Sequence, residues 1–260
     1  MDLEGKVVLV TGAGSGIGKA AALRLARAGA TIAALGRTAD DLAVTADQVV
    51  ASGGRAITVE ADISKPDEMR AAVAQIEEKL KRLDVVFANA GINGVWAPIA
   101  DLKPEEWTHT LTINLTGTFL TLKYALPLLK VRGGSVIITS SVNGTRIFSN
   151  AGASAYSVSK AGQVALAKMA ALELAKYKIR VNVICPGWIA TEIDDNTKKR
   201  NVEEARIPVE FPEGTVPLTG GEPGEPEQVA ELVLFLASDA SSHITGTEIW
   251  IDGAESLLEG

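Results

Sequence analysis

Seven short apolar runs recur along the chain, and most of the stretches between them are long enough for helices. The runs are "KVVLVTG", "TIAALG", "AITVEAD", "LDVVFANAG", "GSVIITSS", "IRVNVICPG" and "TEIWIDG". Most are continuously apolar instead of alternating with polar residues, which is the pattern of a strand covered on both faces. Helical segments fall between them at 17–28, 40–52, 65–81 and 103–131, the last containing Pro127, and a further helix carries Tyr156 and Lys160. This alternation predicts an α/β fold: a doubly wound, seven-stranded parallel sheet flanked by helices. No repeat, linker or low-complexity tract divides residues 1–260, so the chain reads as one domain. Residues 194–227 depart from the pattern, being charged and rich in Pro and Gly. They read as a long excursion with one short helix, the kind of segment that covers an active site.

Several function classes fall away at once. A formal net charge of -7 argues against nucleic acid as a partner, because phosphate binding wants a basic face. A lone Cys185 allows no disulfide framework and suits a reducing compartment. The start "MDLEGKVVLVTG" lacks the basic and apolar regions of a signal peptide, and no apolar run approaches the ~18 residues of a membrane span. A cytoplasmic protein is expected. His109, Cys185 and His243 have no partners at ligand spacing, so no zinc site is expected.

The first run ends in "TGAGSGIG" and continues as a helix. Gly12, Gly16 and Gly18 allow close backbone approach, and the helix opening at Ser15 and Ile17 presents unpaired N–H groups to an anion. That context, strand then glycine turn then helix, is the one a dinucleotide site requires in a Rossmann-like fold. The spacing is G-x-x-x-G-x-G. At the end of the second run an acidic residue would bind the ribose 2′-hydroxyl and repel a 2′-phosphate. Gly36 stands there instead, followed by Arg37, whose guanidinium matches phosphate. NADP is therefore favoured over NAD, unless Arg37 is simply a solvated charge at a strand end.

In "ASAYSVSKAG" a tyrosine and a lysine stand four positions apart, on one face of a helix. A free phenol, with a pKa near ~10, is a poor base at neutral pH, and a neighbouring ammonium favours its ionised form. Such a pair suits the proton transfer that accompanies hydride exchange between a nicotinamide and a carbonyl.

These features resemble the single-domain branch of the short-chain dehydrogenase/reductase family over nearly the whole chain. The likeness rests on "TGAGSGIG", Asp62 in "ADI", "NAG", Asn114 in "TINLTG", "ITSSVNG", "YSVSK", "CPGWIATE" and "FLASDASSHITGTEIWIDG". The resemblance implies that Tyr156 is the general acid/base and that Lys160 also holds the nicotinamide ribose. It implies that Ser141, or its neighbour Ser140, orients the substrate oxygen, and that Asn114 holds a water in a proton relay behind the lysine. Asp62 and Ile63 would meet the adenine, and Asn89, Ala90 and Gly91 the ribose and adenine side. Pro186, Gly187 and Ile189 would cup the carboxamide, with Thr191 a further donor. Ser15 stands where NADP-dependent relatives often carry a second base, which weakens the case for NADP. A homotetramer is also implied.

The chain departs from the family in two places. Ser141 lies 15 residues before Tyr156, so "TRIFSNAGASA" reads as a small insertion, and Ala254 replaces a customary glycine. An apolar substrate wall of Val95, Trp96, Ile147, Phe148, Trp188 and Ile193 is expected, suiting a neutral carbonyl or secondary alcohol. Arg146 and "TKKR" at 197–200 are the cations near it, either meeting an anionic substrate or forming a solvated lid face. Candidate activities are 3-oxoacyl-carrier reduction and sugar or polyol dehydrogenation. The rival readings are a sugar-nucleotide epimerase or dehydratase and a non-catalytic dinucleotide sensor.

Overall fold

The computed structural model describes residues 1–207 and 216–259. Seven strands form one sheet: β1 (Val7–Thr11), β2 (Thr31–Gly36), β3 (Arg55–Glu60), β4 (Val85–Ala88), β6 (Gly134–Thr139), β7 (Ile179–Pro186) and β9 (Glu248–Ile251). Their order is β3-β2-β1-β4-β6-β7-β9 and every pairing is parallel. The seven apolar runs of the sequence supply these seven strands.

The unbroken apolar character of β1, β2, β4 and β6 follows from how the sheet is covered. Val8 and Val10 join one core with α1 (Gly16–Arg27), α2 (Ala39–Ala51) and α8 (Pro226–Ala237). Val7 and Leu9 join the other with α3 (Pro66–Leu80), α5 (Gly117–Leu129) and α6 (Ser154–Leu174). Successive residues of a strand thus enter opposite cores, and each fully buried Val or Leu is worth roughly 1.5–3 kcal/mol. The winding reverses at β1, which has β2 on one side and β4 on the other. The loops after β1, β4, β6 and β7 therefore gather around a crevice at the carboxyl ends of the strands, where ligands bind in such sheets.

Two features differ from the sequence reading. The helix expected over 103–131 is α4 (Pro104–Leu111), a π-helical turn (Thr112–Thr116) and α5. The wide turn carries Asn114, whose side chain leaves its helix to bond the backbone of Ile92 at 2.9 Å in both directions. An extra two-stranded parallel sheet pairs β5 (Gly94–Trp96) with β8 (Thr197–Lys199). Strand β8 lies inside the expected excursion, as does the short helix α7 (Val202–Ala205). Residues 208–215 of that excursion lie outside the described residues. The chain continues past β9 into α9 (Glu255–Leu258).

Candidate active site

A cleft of about 1070 Å³ runs along the carboxyl ends of the strands. At one end it is lined by Gly12, Ser15, Gly16, Ile17, Arg37, Asp62, Ile63, Asn89, Ala90 and Gly91. Gly18, also expected here, lies beneath the loop, and a Cβ on it would come within 2.0 Å of the Gly12 carbonyl oxygen. Only glycine permits that turn. Helix α1 begins here with no side-chain cap on Ser15 and no acidic residue in its first turn. Helices α2, α3, α4 and α8 all carry acidic residues in theirs. The first turn of α1 thus offers backbone N–H groups and the positive end of its dipole, which suits a pyrophosphate. The residues present fit a dinucleotide.

Thr11, at the end of β1, secures the neighbouring loop. Its hydroxyl oxygen accepts the N–H of Asn89 at 3.0 Å and of Ala90 at 3.1 Å. Asp62 sits beside Arg37 at the outer end. Burial raises the Asp62 carboxyl, but the hydroxyl and N–H of Ser64 and the charges of Arg37 and Lys65 more than offset this and hold it below its usual range.

At the other end α6 presents Tyr156 and Lys160, 7% and 3% exposed. They are not a surface pair. Lys160 Nζ donates to the Thr139 carbonyl at 2.9 Å and lies 5.5 Å from the Tyr156 ring centroid. Burial pushes the Lys160 ammonium down to about 8, with Cys185 acting in the opposite direction. Trp96 packs against Tyr156, ring centroids 6.4 Å apart. The two serines after β6 are in different states. The Ser140 hydroxyl donates to the Lys160 carbonyl at 2.9 Å, whereas Ser141 Oγ accepts the Asn143 N–H at 3.1 Å. Asn114 Nδ2 reaches Ser159 Oγ at 3.0 Å, and its carbonyl accepts Thr118 Oγ1 at 2.7 Å and Gln163 Nε2 at 2.9 Å.

A family model described as enoyl-(acyl carrier protein) reductase matches residues 12–254. A 3-oxoacyl-[acyl-carrier-protein] reductase of Thermotoga maritima is 38% identical, covering 97% of this chain and 98% of that protein. The crystal structure of a 3-ketoacyl-ACP reductase from Sinorhizobium meliloti superposes with a TM-score of 0.94 at 55% identity, covering 97% of this chain and 99% of that one. That of a short-chain type dehydrogenase/reductase from Mycobacterium marinum superposes at 0.88 with 38% identity, covering 98% and 96%. The chain belongs to the short-chain dehydrogenase/reductase family. It is an NAD(P)-dependent oxidoreductase interconverting carbonyl and alcohol groups.

The substrate end of this short-chain dehydrogenase/reductase differs from the apolar wall expected. Trp96, Trp188 and Ile193 line the cleft; Val95, Ile147 and Phe148 do not. Residues 142–147 fold into a tight turn, with Ile147 N–H on the Val142 carbonyl at 2.9 Å. The turn tucks Ile147 into the core at 0% exposure and leaves Phe148 at 74%. Val95 alternates with Trp96 on β5 and so takes the other face. Asn93, Asn143, Asn150 and Glu255 fill the wall instead. Of the nearby cations, Arg146 lies over the Trp250 ring at 3.7 Å and Arg200 is bound to Glu106 at 2.8 Å. Lys199 lines the cleft, its Nζ 5.6 Å from the Trp96 centroid. Pro186, Gly187, Ile189 and Thr191 also line the cleft. The sequence reading missed Thr11, Thr139 and Glu255. The first two end strands beside recognised motifs, which is a usable signal; nothing in "DGAES" singles out Glu255.

Proposed function

We propose that this enzyme transfers hydride reversibly between NADP and a small carbonyl or secondary alcohol, with Tyr156 moving the proton. The observation that carries this reading is that Tyr156, Lys160 and Ser141 line the same cleft as the glycine loop. The nicotinamide, when bound, supplies or accepts the hydride. In reduction, the Tyr156 hydroxyl donates its proton to the substrate oxygen; in oxidation, it takes the proton from the alcohol. Lys160 remains mostly charged at pH 7, and its ammonium favours the ionised phenol. Ser141 is the better placed serine to steady the substrate oxygen. Its Oγ already accepts an N–H, which leaves its proton to donate, whereas the proton of Ser140 is taken by the Lys160 carbonyl.

Asn114 joins them by bolting Ile92 to α6. A relay water at its carbonyl would compete with Thr118 and Gln163. The α1 N-terminus would hold the pyrophosphate, Asp62 and Ile63 the adenine, and Asn89, Ala90 and Gly91 the adjoining ribose. Pro186, Gly187, Ile189 and Thr191 would hold the carboxamide. Arg37, exposed at the cleft edge, supports NADP over NAD by offering a guanidinium to a 2′-phosphate. On the same reading the enzyme is a cytoplasmic homotetramer, and residues 194–227 act as its lid. No helix among the described residues is long and apolar enough to cross a membrane.

The test follows NADPH and NADH oxidation side by side in wild type and Tyr156→Phe. Wild type is expected to turn over faster with NADPH, and the variant to lose about 10²–10⁴-fold in kcat while its coenzyme Kd stays put. Equal rates in variant and wild type would remove Tyr156 from the chemistry. A preference for NADH would reject the role given to Arg37.

A further inference from the structure

Helix α9 brings into the cleft a carboxylate that the proton and hydride chemistry does not use. Glu255 lines the cleft and, through Oε2, accepts the Trp188 N–H at 2.7 Å. Several residues hold it there. Ala254 adopts a left-handed conformation, φ 71°, which is strained for alanine. Asp252 accepts the N–H of Ala254 at 3.2 Å and of Ser256 at 3.1 Å. Arg146, from the insertion before Tyr156, stacks on Trp250 and donates to Ser256 Oγ at 3.4 Å. Gly187 leaves room for the carboxylate, since a Cβ there would lie 2.2 Å from Glu255 Oε2.

The segment that Glu255 holds adjoins the strand end that carries Ser141. Pro186 accepts the Val142 N–H at 3.0 Å, so the turn that Glu255 holds begins one residue past the strand partner of the Ser141–Val142 segment. Burial raises the Glu255 carboxyl, the Trp188 N–H opposes that, and Glu259 and Asp252 add to the rise. No lysine or arginine forms an ion pair with it among the described residues. Asn143 and Asn150 line the same wall, joined by a 2.7 Å bond from Asn150 Nδ2 to Asn143 Oδ1.

We propose that Glu255 is a specificity-determining residue that selects a small neutral substrate carrying a hydroxyl near the reacting carbonyl, a hydroxyketone or polyol, over keto acids and acidic acyl thioesters. The proposal rests on the oxidoreductase reading above. A carboxylate binds a hydroxyl through a charge-assisted hydrogen bond. A site built to bond a hydroxyl discriminates against the analogue that lacks it, and fixed negative charge repels an anionic substrate.

The experiment compares acetoin with butanone, which differ by one hydroxyl, and adds acetoacetate and acetoacetyl-CoA, in wild type, Glu255→Gln and Glu255→Ala. Wild type is expected to favour acetoin over butanone in kcat/KM by about 10- to 100-fold, the worth of one hydrogen bond to a charged group. Glu255→Ala should bring that ratio near one, chiefly through KM. Glu255→Gln, which still accepts the Trp188 N–H, should keep part of the preference and gain on acetoacetate. An acetoin-to-butanone ratio equal in all three proteins, or a wild-type preference for acetoacetyl-CoA, overturns the proposal. A binding readout separates it from the proton chemistry. In a Tyr156→Phe background with coenzyme present, Glu255→Ala should weaken 2,3-butanediol relative to 2-butanol by calorimetry, and equal weakening of both overturns it. Full activity of Tyr156→Phe would sink the role of Tyr156 and leave that comparison intact.

Discussion

Lys160 carries a charge in a place that disfavours charge. Free lysine titrates near 10.5, and burial brings this one to about 8. Between those values the unfolded chain binds more protons than the native protein, so stability rises with pH; below about pH 8 the full cost of the buried ammonium is present. That cost is on the order of 3 kcal/mol, partly offset by the bond to the Thr139 carbonyl. Lys160→Met should therefore be more stable than wild type in urea at pH 7 without coenzyme, by about 2 kcal/mol, while turning over no substrate. The gap should shrink as pH rises from 8 towards 10. A gap of the same size at both ends of that range would mean that the charge is not its source. The spacing of Tyr156 and Lys160 was legible in the sequence because one helix fixes it. The Thr139 carbonyl was not, because it comes from a strand 21 residues earlier and only the folded sheet brings it under the ammonium.

Among elements, the regular ones were legible and the short polar ones were not. The runs of β1, β2, β4 and β6 announce themselves because both faces of the sheet are covered there, whereas the edge strands β3 and β9 are only partly buried. Strand β8 is "TKK", three polar residues that carry no periodicity. What makes it a strand is its partner: β5 pairs with it in register, Trp96 opposite Lys199. Arg200 then donates its backbone N–H to the Trp96 carbonyl and its guanidinium to both oxygens of Glu106 at 2.8 Å. The bonds from Arg200 and Lys103 hold the Glu106 carboxyl down to about 2. Glu106 therefore stays charged as pH falls through the ordinary carboxylate range, and its hold on Arg200 is lost only as pH approaches 2. Arg200→Met should raise amide exchange at Thr197–Asn201 by about tenfold and raise substrate KM more than it lowers kcat, with the same exchange increase at pH 5 and pH 7. Unchanged exchange in the variant would show that β-pairing alone holds this strap. The insertion before Tyr156 also gains a role at this scale. Its Arg146 docks the C-terminal segment, and its Gly152 carbonyl accepts the Ala97 N–H at 3.1 Å, just past β5.

At the scale of the whole molecule the sheet explains the cleft, but one layer is left with apolar residues facing outward. On α5, Phe119 is exposed; on α6, Val158 is exposed, and Met169 and Leu172 are 72% and 82% exposed. Both helices pack their other faces into the same core. Scattered exposed apolar side chains are ordinary, but these lie on adjoining helices of one layer, where a second copy can cover them. The sequence hinted at this only weakly, because "AGQVALAKMAALELAKY" is equally suited to packing on its own sheet. A homotetramer built through this layer predicts sedimentation at four times the 27.2 kDa chain mass. It also predicts a Tm that rises with protein concentration, since assembly stabilises the folded chain by mass action. Met169→Glu with Leu172→Glu places carboxylates where an apolar surface would be buried. The double variant should sediment as a smaller species and melt lower, yet keep the wild-type coenzyme affinity, because neither residue lines the cleft. A wild type that sediments as a single 27.2 kDa chain, with a Tm independent of concentration, would leave these side chains as solvent-facing residues and remove the tetramer.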